Sequence, residues 1–191
     1  MRIVRSRPGD AAALTRIALA AKRHWRYRET WIRRWNAVLT LSPAYIRRNP
    51  TYSAIDGDGI VGFCALRLRG AAAVVDHLWV APGSMGRGIG RQLFRRCERE
   101  ARKAGVALLR VESDPNAEGF YRAMGASVVG RSPAPVDGVE RFLPLLEKWL
   151  TPGRPGSRRV TRKTPRPGPS EGCEASGGRP GSLPARRARG A

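Results

Sequence analysis

Apolar positions along this chain switch between a helical and a strand period, and each switch marks an element. Leu14, Ile17, Ala18 and Ala21 recur every three to four residues and predict a helix behind Pro8-Gly9-Asp10, with Asp10 as its cap. Before it, Ile3 and Val4 predict a short strand. A second helical stretch runs from Glu29 to Val38. A third opens at Ser42-Pro43, where the serine caps and the proline takes the first helical position, and it ends by Pro50. Tyr52 to Ile55 and Ile60 to Leu68, joined by Asp56-Gly57-Asp58-Gly59, predict a hairpin, because Asp-Gly pairs supply the positive φ of a tight turn.

After Gly70 a further strand follows, through Val74, Val75, Leu78 and Val80, and Pro82 stops it. Ile89, Leu93, Phe94, Cys97, Ala101 and Ala104 return to helical spacing, with Arg91, Arg95, Arg99 and Arg102 on other faces, and Gly105 ends this helix. Val106 to Glu112 reads as a strand. Asp114 to Ala126 reads as a short helix that Asp114 or Asn116 can cap and Gly125 can close. Ser127 to Gly130 and Arg141 to Leu146 are the last strands, joined by a loop over Ser132 to Gly138. This order predicts an α/β (α+β) domain, a central mixed sheet of about six to seven strands with helices on both faces. Residues 1–150 suffice to bury a sizeable core.

Beyond Thr151 the pattern stops. Residues 151–191 are dominated by Pro, Gly, Ser and Arg, with Val160 and Leu183 almost alone as large apolar residues, so a disordered basic tail is expected. Ten basic residues against Glu171 and Glu174 give the tail a net charge of +8 out of the chain's +21, leaving +13 in the domain. Such a field concentrates polyanions, and nonspecific nucleic-acid binding through the tail is expected. Only Lys22, Lys103, Lys148 and Lys163 among the 36 basic residues are lysine, a skew that a GC-rich coding sequence produces without any partner. Cys64, Cys97 and Cys173 form neither a metal spacing nor a disulfide framework, which fits a reducing compartment. No run approaches the roughly 20 apolar residues that span a bilayer, so a cytoplasmic protein without membrane contact or bound metal is expected.

The chemistry concentrates at the turn after Val80. Gly86, Gly88 and Gly90 leave backbone N–H groups unobstructed at a helix start, where free amides and the positive helix end attract phosphate oxygens. Their spacing fits neither the Rossmann nor the Walker loop. Met85-Gly86-Arg87-Gly88-Ile89-Gly90 instead resembles the acyl-CoA loop of the GNAT acyltransferase superfamily, Arg/Gln-x-x-Gly-x-Gly/Ala, with Met85 in place of the usual Arg or Gln. Arg87 and Arg91 stand near enough to supply charge. Asn116 to Gly125, with its Phe120-Tyr121 pair, resembles the second signature of the same superfamily, whose helix flanks the CoA arm and whose tyrosine faces the thioester sulfur.

The resemblance covers nearly all of residues 1–150. It implies a GNAT-like, largely antiparallel sheet and an acetyl-CoA-dependent N-acetyltransferase acting on the amine of a small molecule or peptide. Implied contacts to acetyl-CoA are the backbone of Leu78, Trp79 and Val80, the loop from Met85 through Gly90 with Arg91, and Asn116, with Tyr121 as the acid that protonates the thiolate. A second reading is a GNAT-like domain that binds acyl-CoA or associates with nucleic acid with little or no catalysis.

Acyl transfer to an amine also needs a base. Strand alternation places Asp76 on the face of Val74, Leu78 and Val80 and His77 on the opposite face. A carboxylate in so apolar a strand is a candidate base or a salt-bridge partner for an arginine, and His77 reads better as a packed histidine. Glu112 and Asp114 are further candidates. Trp25, Tyr27, Trp31 and Trp35 crowd into eleven residues as either a wall of the acceptor site or a helix face packed on the sheet.

Overall fold

Strand residues sort by alternation onto two faces of one sheet, and the helical stripes cover both. The computed structural model describes residues 1–150. In chain order the elements are β1 (Arg2–Arg5), α1 (Ala11–His24), α2 (Glu29–Leu39), α3 (Pro43–Arg48), β2 (Thr51–Asp56), β3 (Gly59–Arg69), β4 (Ala72–Val80), α4 (Ile89–Lys103), β5 (Leu108–Glu112), α5 (Glu118–Ala123), β6 (Ser127–Pro133) and β7 (Phe142–Trp149). The seven strands form a single sheet in the order β1-β2-β3-β4-β5-β7-β6. Neighbours are antiparallel except β4 and β5, which the α4 crossover makes parallel.

On one face, Leu93, Phe94, Cys97 and Ala101 of α4 and Tyr121 of α5 bury against Cys64, Leu66, Val75, Leu109, Val111 and Leu146. Leu14, Ile17 and Ala18 of α1 form a second core with Leu39, Leu41, Ile46 and Phe63 on the other face. Among the described residues no helix is long and apolar enough to cross a membrane. The tail expected over residues 151–191 lies outside the described residues.

Local signals hold in detail. Ser42 accepts the Tyr45 amide and Pro43 occupies the first position of α3. Asp114 rather than Asn116 caps the turn before α5, accepting the Asn116 amide at 3.0 Å. Asp10 behaves otherwise than expected: its carboxylate accepts the Arg7 amide at 2.7 Å, pinning a 3-10 turn over Pro8–Asp10 instead of capping α1. The last two strands also outrun their sequence pattern. Trp149 pairs with Leu108 and Glu147 with Arg110, whose guanidinium meets the Glu147 carboxylate at 2.8 Å, so partner strands extend β7 past its alternating run.

Two irregularities interrupt β4. Ala72, Ala73 and Val74 pair with Leu108, Leu109 and Arg110, and beyond them β4 and β5 pair no further, although β4 stays bonded to β3 as far as Val80. A wedge opens there between two parallel strands. The second irregularity is a bulge: Ala65 pairs with His77 and Leu66 with Val75, which leaves Asp76 as the extra residue. Simple alternation therefore fails at Asp76. Its carboxylate does not share the α4 face with Leu78 and Val80, but meets Tyr45 and Arg67 on the face that carries α3.

Candidate functional site

The wedge, the loop after β4 and the start of α5 enclose a cavity of about 430 Å³. Leu78, Trp79 and Val80 line it from the free edge of β4; Met85, Gly86, Gly88, Ile89, Gly90 and Arg91 from the loop and the first turn of α4; Asn116 and Tyr121 from the α5 side; and Asp76 from the bulge. Among the expected site residues, Arg87 alone is absent from this lining. Its guanidinium turns away to bond the Asp56 carboxylate at 2.7 Å. Arg91 is then the one cation among the described lining residues.

The three loop glycines serve different purposes. Gly86 and Gly88 have φ of 76° and 77°, the left-handed region, and a Cβ on either would meet no atom within 4 Å. Glycine is needed there for the backbone turn, and the space above the chain stays open to a ligand. Gly88 directly precedes α4, whose first-turn N–H groups have no partner within the helix and face the loop with the positive end of its dipole. Gly90 has another reason. A Cβ there would stand 3.3 Å from the Phe120 ring, so its smallness lets α5 pack against α4.

Tyr121 is buried between Phe94 and Phe120, with ring centroids 5.8 and 5.0 Å away. Burial pushes its phenol well above the ordinary tyrosine value, so the hydroxyl keeps its proton at neutral pH. Asp76 accepts hydrogen bonds from the Tyr45 hydroxyl and from Arg67 Nε, the latter at 2.7 Å. His77 is buried beside it, with Nε2 at 3.7 Å from the Asp76 carboxylate, while its Nδ1 accepts the Trp79 indole N–H at 3.2 Å. Desolvation holds the imidazole below its usual pKa and therefore neutral.

At the end of β5, Asp114 gathers a knot of long-range contacts. Lys22 of α1 forms an ion pair with it, Tyr27 donates at 2.9 Å, Arg141 at 3.2 Å, and the Asn116 side chain at 3.0 Å. Burial works to raise the Asp114 pKa, but the Lys22 charge and these hydrogen bonds outweigh it and hold the carboxyl below the usual range. Lys22 and Arg141 also lie over the Tyr27 and Trp35 rings, at 4.4 to 5.5 Å from their centroids. Trp31 and Trp35 do share a helix face, 5.8 Å apart, yet they pack around this knot, and only Trp25 of the aromatic cluster borders the cavity.

Sequence reasoning missed Lys22 and Arg141, since nothing in their neighbourhoods marks a partner 92 or 27 residues away. Glu112, named only as an alternative, lines the cavity at the end of β5. It pairs with Leu145 and alternates with buried Val111, which turns it away from α4, and no hydrogen bond or ion pair joins it to another described residue. The three acidic residues that border the cavity thus divide: the Asp76 and Asp114 carboxylates are held by cations, and that of Glu112 is held by no described residue.

Residues 47–125 match the family profile of the acetyltransferase (GNAT) domain. No curated protein matches the chain. Among solved structures, the fold is similar to that of a GCN5-related N-acetyltransferase from Rhodopseudomonas palustris, at TM-score 0.65 and 24% identity over 78% of this chain and 95% of that one. It is also similar to PaiA N-acetyltransferase from Thermoplasma acidophilum in complex with coenzyme A (TM-score 0.60, 20% identity, 78% and 98% covered). A third is the ribosomal-protein-S18-alanine N-acetyltransferase of Escherichia coli (TM-score 0.61, 16% identity, 78% and 94% covered).

The Asp114 knot yields a test by unfolding. Asp114→Asn removes the anion from beside two buried cations and should lower stability by about 3–5 kcal/mol in urea titration. A depressed folded pKa means the stabilisation is complete above the unfolded carboxylate value of about 3.9 and is lost as pH falls through the lower folded value. The wild-type chain should accordingly lose stability below about pH 4 more steeply than the variant does.

Proposed function

We propose that the chain, whose residues 47–125 match the acetyltransferase (GNAT) domain profile, transfers the acetyl group of acetyl-CoA to the amine of a small molecule or peptide by direct attack on the thioester. The observation that carries the proposal is the meeting, in one cavity, of a free strand edge, two left-handed glycines at a helix N-terminus and a buried protonated tyrosine. Coenzyme A in the similar PaiA structure and a peptidic acceptor in the name of the ribosomal-protein enzyme support the donor and the breadth of acceptor.

Backbone groups of Leu78 to Val80, unpaired toward β5, bond the extended pantetheine arm as an added strand would, and one amide polarises the thioester carbonyl. The amides around Gly88 and the end of α4 hold the pyrophosphate, with Arg91 supplying the charge that Met85 lacks. Asn116, fixed by Tyr27 and Asp114, shapes the α5 side. The amine nitrogen attacks the carbonyl carbon, the C–S bond breaks, and Tyr121 gives its proton to the departing sulfur and is reprotonated from solvent.

The amine must lose a proton on the way, and Glu112 is the carboxylate free to take it, directly or through water. Asp76, engaged by Tyr45 and Arg67, holds the bulge of β4 in place. The buried free thiols Cys64 and Cys97 fit a reducing cytoplasm, where acetyl-CoA is at hand.

Three variants probe this mechanism. Gly88→Val, strained at φ of 77° and placing bulk over the loop, should weaken acetyl-CoA binding at least tenfold by calorimetry while the fold is retained. Full affinity would remove the loop from the site. Tyr121→Phe should leave that affinity unchanged and lower kcat by a factor on the order of 10²–10⁴. Glu112→Gln should lower kcat/KM by a comparable factor, on the order of 10²–10⁴, and recover with rising pH as solution supplies the neutral amine. An unchanged profile would clear Glu112 of the role.

A further inference from the structure

Beside the cofactor cavity, between the outer face of α4 and the edge strand β1, runs a second groove of about 450 Å³. Its lining is Ile3, Gly88, Arg91, Gln92, Arg95 and Arg99. The three arginines stand at i, i+4 and i+8 on α4 and are exposed. Like charges at this spacing destabilise a helix, and no acid among the described residues pairs with them. The acids of α4 are committed elsewhere, Glu98 to Lys148 at 2.5 Å and Glu100 to Arg96 and Lys103. No hydrogen bond or ion pair joins Arg91, Arg95 or Arg99 to another described residue.

We propose that this groove binds the phosphodiester backbone of a nucleic-acid strand. Four residues of α-helix advance about 6 Å, comparable to the separation of consecutive phosphates along an extended strand, so in the chain free of acetyl-CoA, whose pyrophosphate otherwise claims Arg91, the row offers one guanidinium to each of three phosphates. A single bound anion would use one or two of them and leave the rest repelling. An anionic lipid surface fits less well, because Ile3 is the one apolar side chain in the groove's lining. No aromatic ring lines the groove to stack a base, so recognition is of the backbone and independent of sequence. The groove shares Gly88 and Arg91 with the cofactor cavity, which places the strand across the mouth of that cavity.

The test is fluorescence anisotropy of a labelled single-stranded oligouridylate with the full chain, repeated across a salt series. Each phosphate contact contributes about 0.7 to the slope of log affinity against log salt, so Arg91→Gln/Arg95→Gln/Arg99→Gln should flatten the slope by about 2. A control removing the same charge from exposed positions on other elements, Arg33→Gln/Arg47→Gln/Arg69→Gln, should leave the slope within experimental error of wild type. All six side chains are exposed, and both variants should unfold at no lower a temperature than the parent. Equal flattening in the two variants would overturn the proposal in favour of bulk charge. Displacement by poly-glutamate at the same charge concentration as unlabelled oligouridylate would overturn it too, showing a site for any polyanion.

Discussion

The parting of β4 from β5 after Val74 is the constraint on which the rest of the structure depends. Buried backbone groups in a sheet are ordinarily paired, and an unpaired edge costs free energy. Here pairing ends after three residues, although β4 remains hydrogen-bonded to β3 along its whole length. The bulge at Asp76 comes two residues after the last pair, and a bulge bends its strand and increases the local twist. Tyr45 and Arg67 hold the Asp76 carboxylate on the far face, so the position of the wedge is set by side chains from α3 and β3. The gap that results has donors and acceptors on one wall and room for an extended chain, which a thioester arm can fill and a globular side chain cannot.

Two kinds of contact keep the wedge from collapsing. On the α4 side, Phe94, Phe120 and Tyr121 meet edge to face and bury large apolar areas, a net gain that also fixes the Tyr121 ring beside the cavity. On the other side, the Asp114 knot ties the end of β5 to α1, to Tyr27 in the loop before α2 and to the residue before β7. Buried ion pairs of this kind roughly balance desolvation against attraction, so the knot contributes position more than stability. The Asp114 carboxylate pairs with Lys22 through Oδ2 and orients Asn116 through Oδ1, with the Tyr27 hydroxyl accepting from the same amide.

What could be read from the sequence was what local chemistry decides. Ser42-Pro43, Asp56-Gly57 and the spacing from Ile89 to Ala101 carry their turn, cap and period within a few residues, and the elements formed where those signals lay. The glycine turn after β4 was legible for the same reason, since positive φ and a helix start are both local. The facing of Asp76 was not, because one unpaired residue in a ladder inverts the alternation and only the register of β3 against β4 reveals it. The turn of Arg87 toward Asp56 was not legible either, because Asp56 belongs to a hairpin tip 31 residues earlier and only the folded chain brings the two together. The lengths of β6 and β7 likewise depend on partner strands.

The substitution at Met85 shows how the site divides its work between backbone and side chain. If phosphate binding rested on a charged side chain at that position, a methionine there would abolish it. The loop instead presents amides whose direction is fixed by Gly86 and Gly88, and an amide does not depend on which side chain its residue carries. In the proposed function charge is then needed only nearby, within the reach of the helix end, where Arg91 in the first turn of α4 stands on the cavity wall. On that reading a position that looks essential as a letter in a motif is replaceable, whereas Gly86 and Gly88, whose positive φ few other residues adopt, are not.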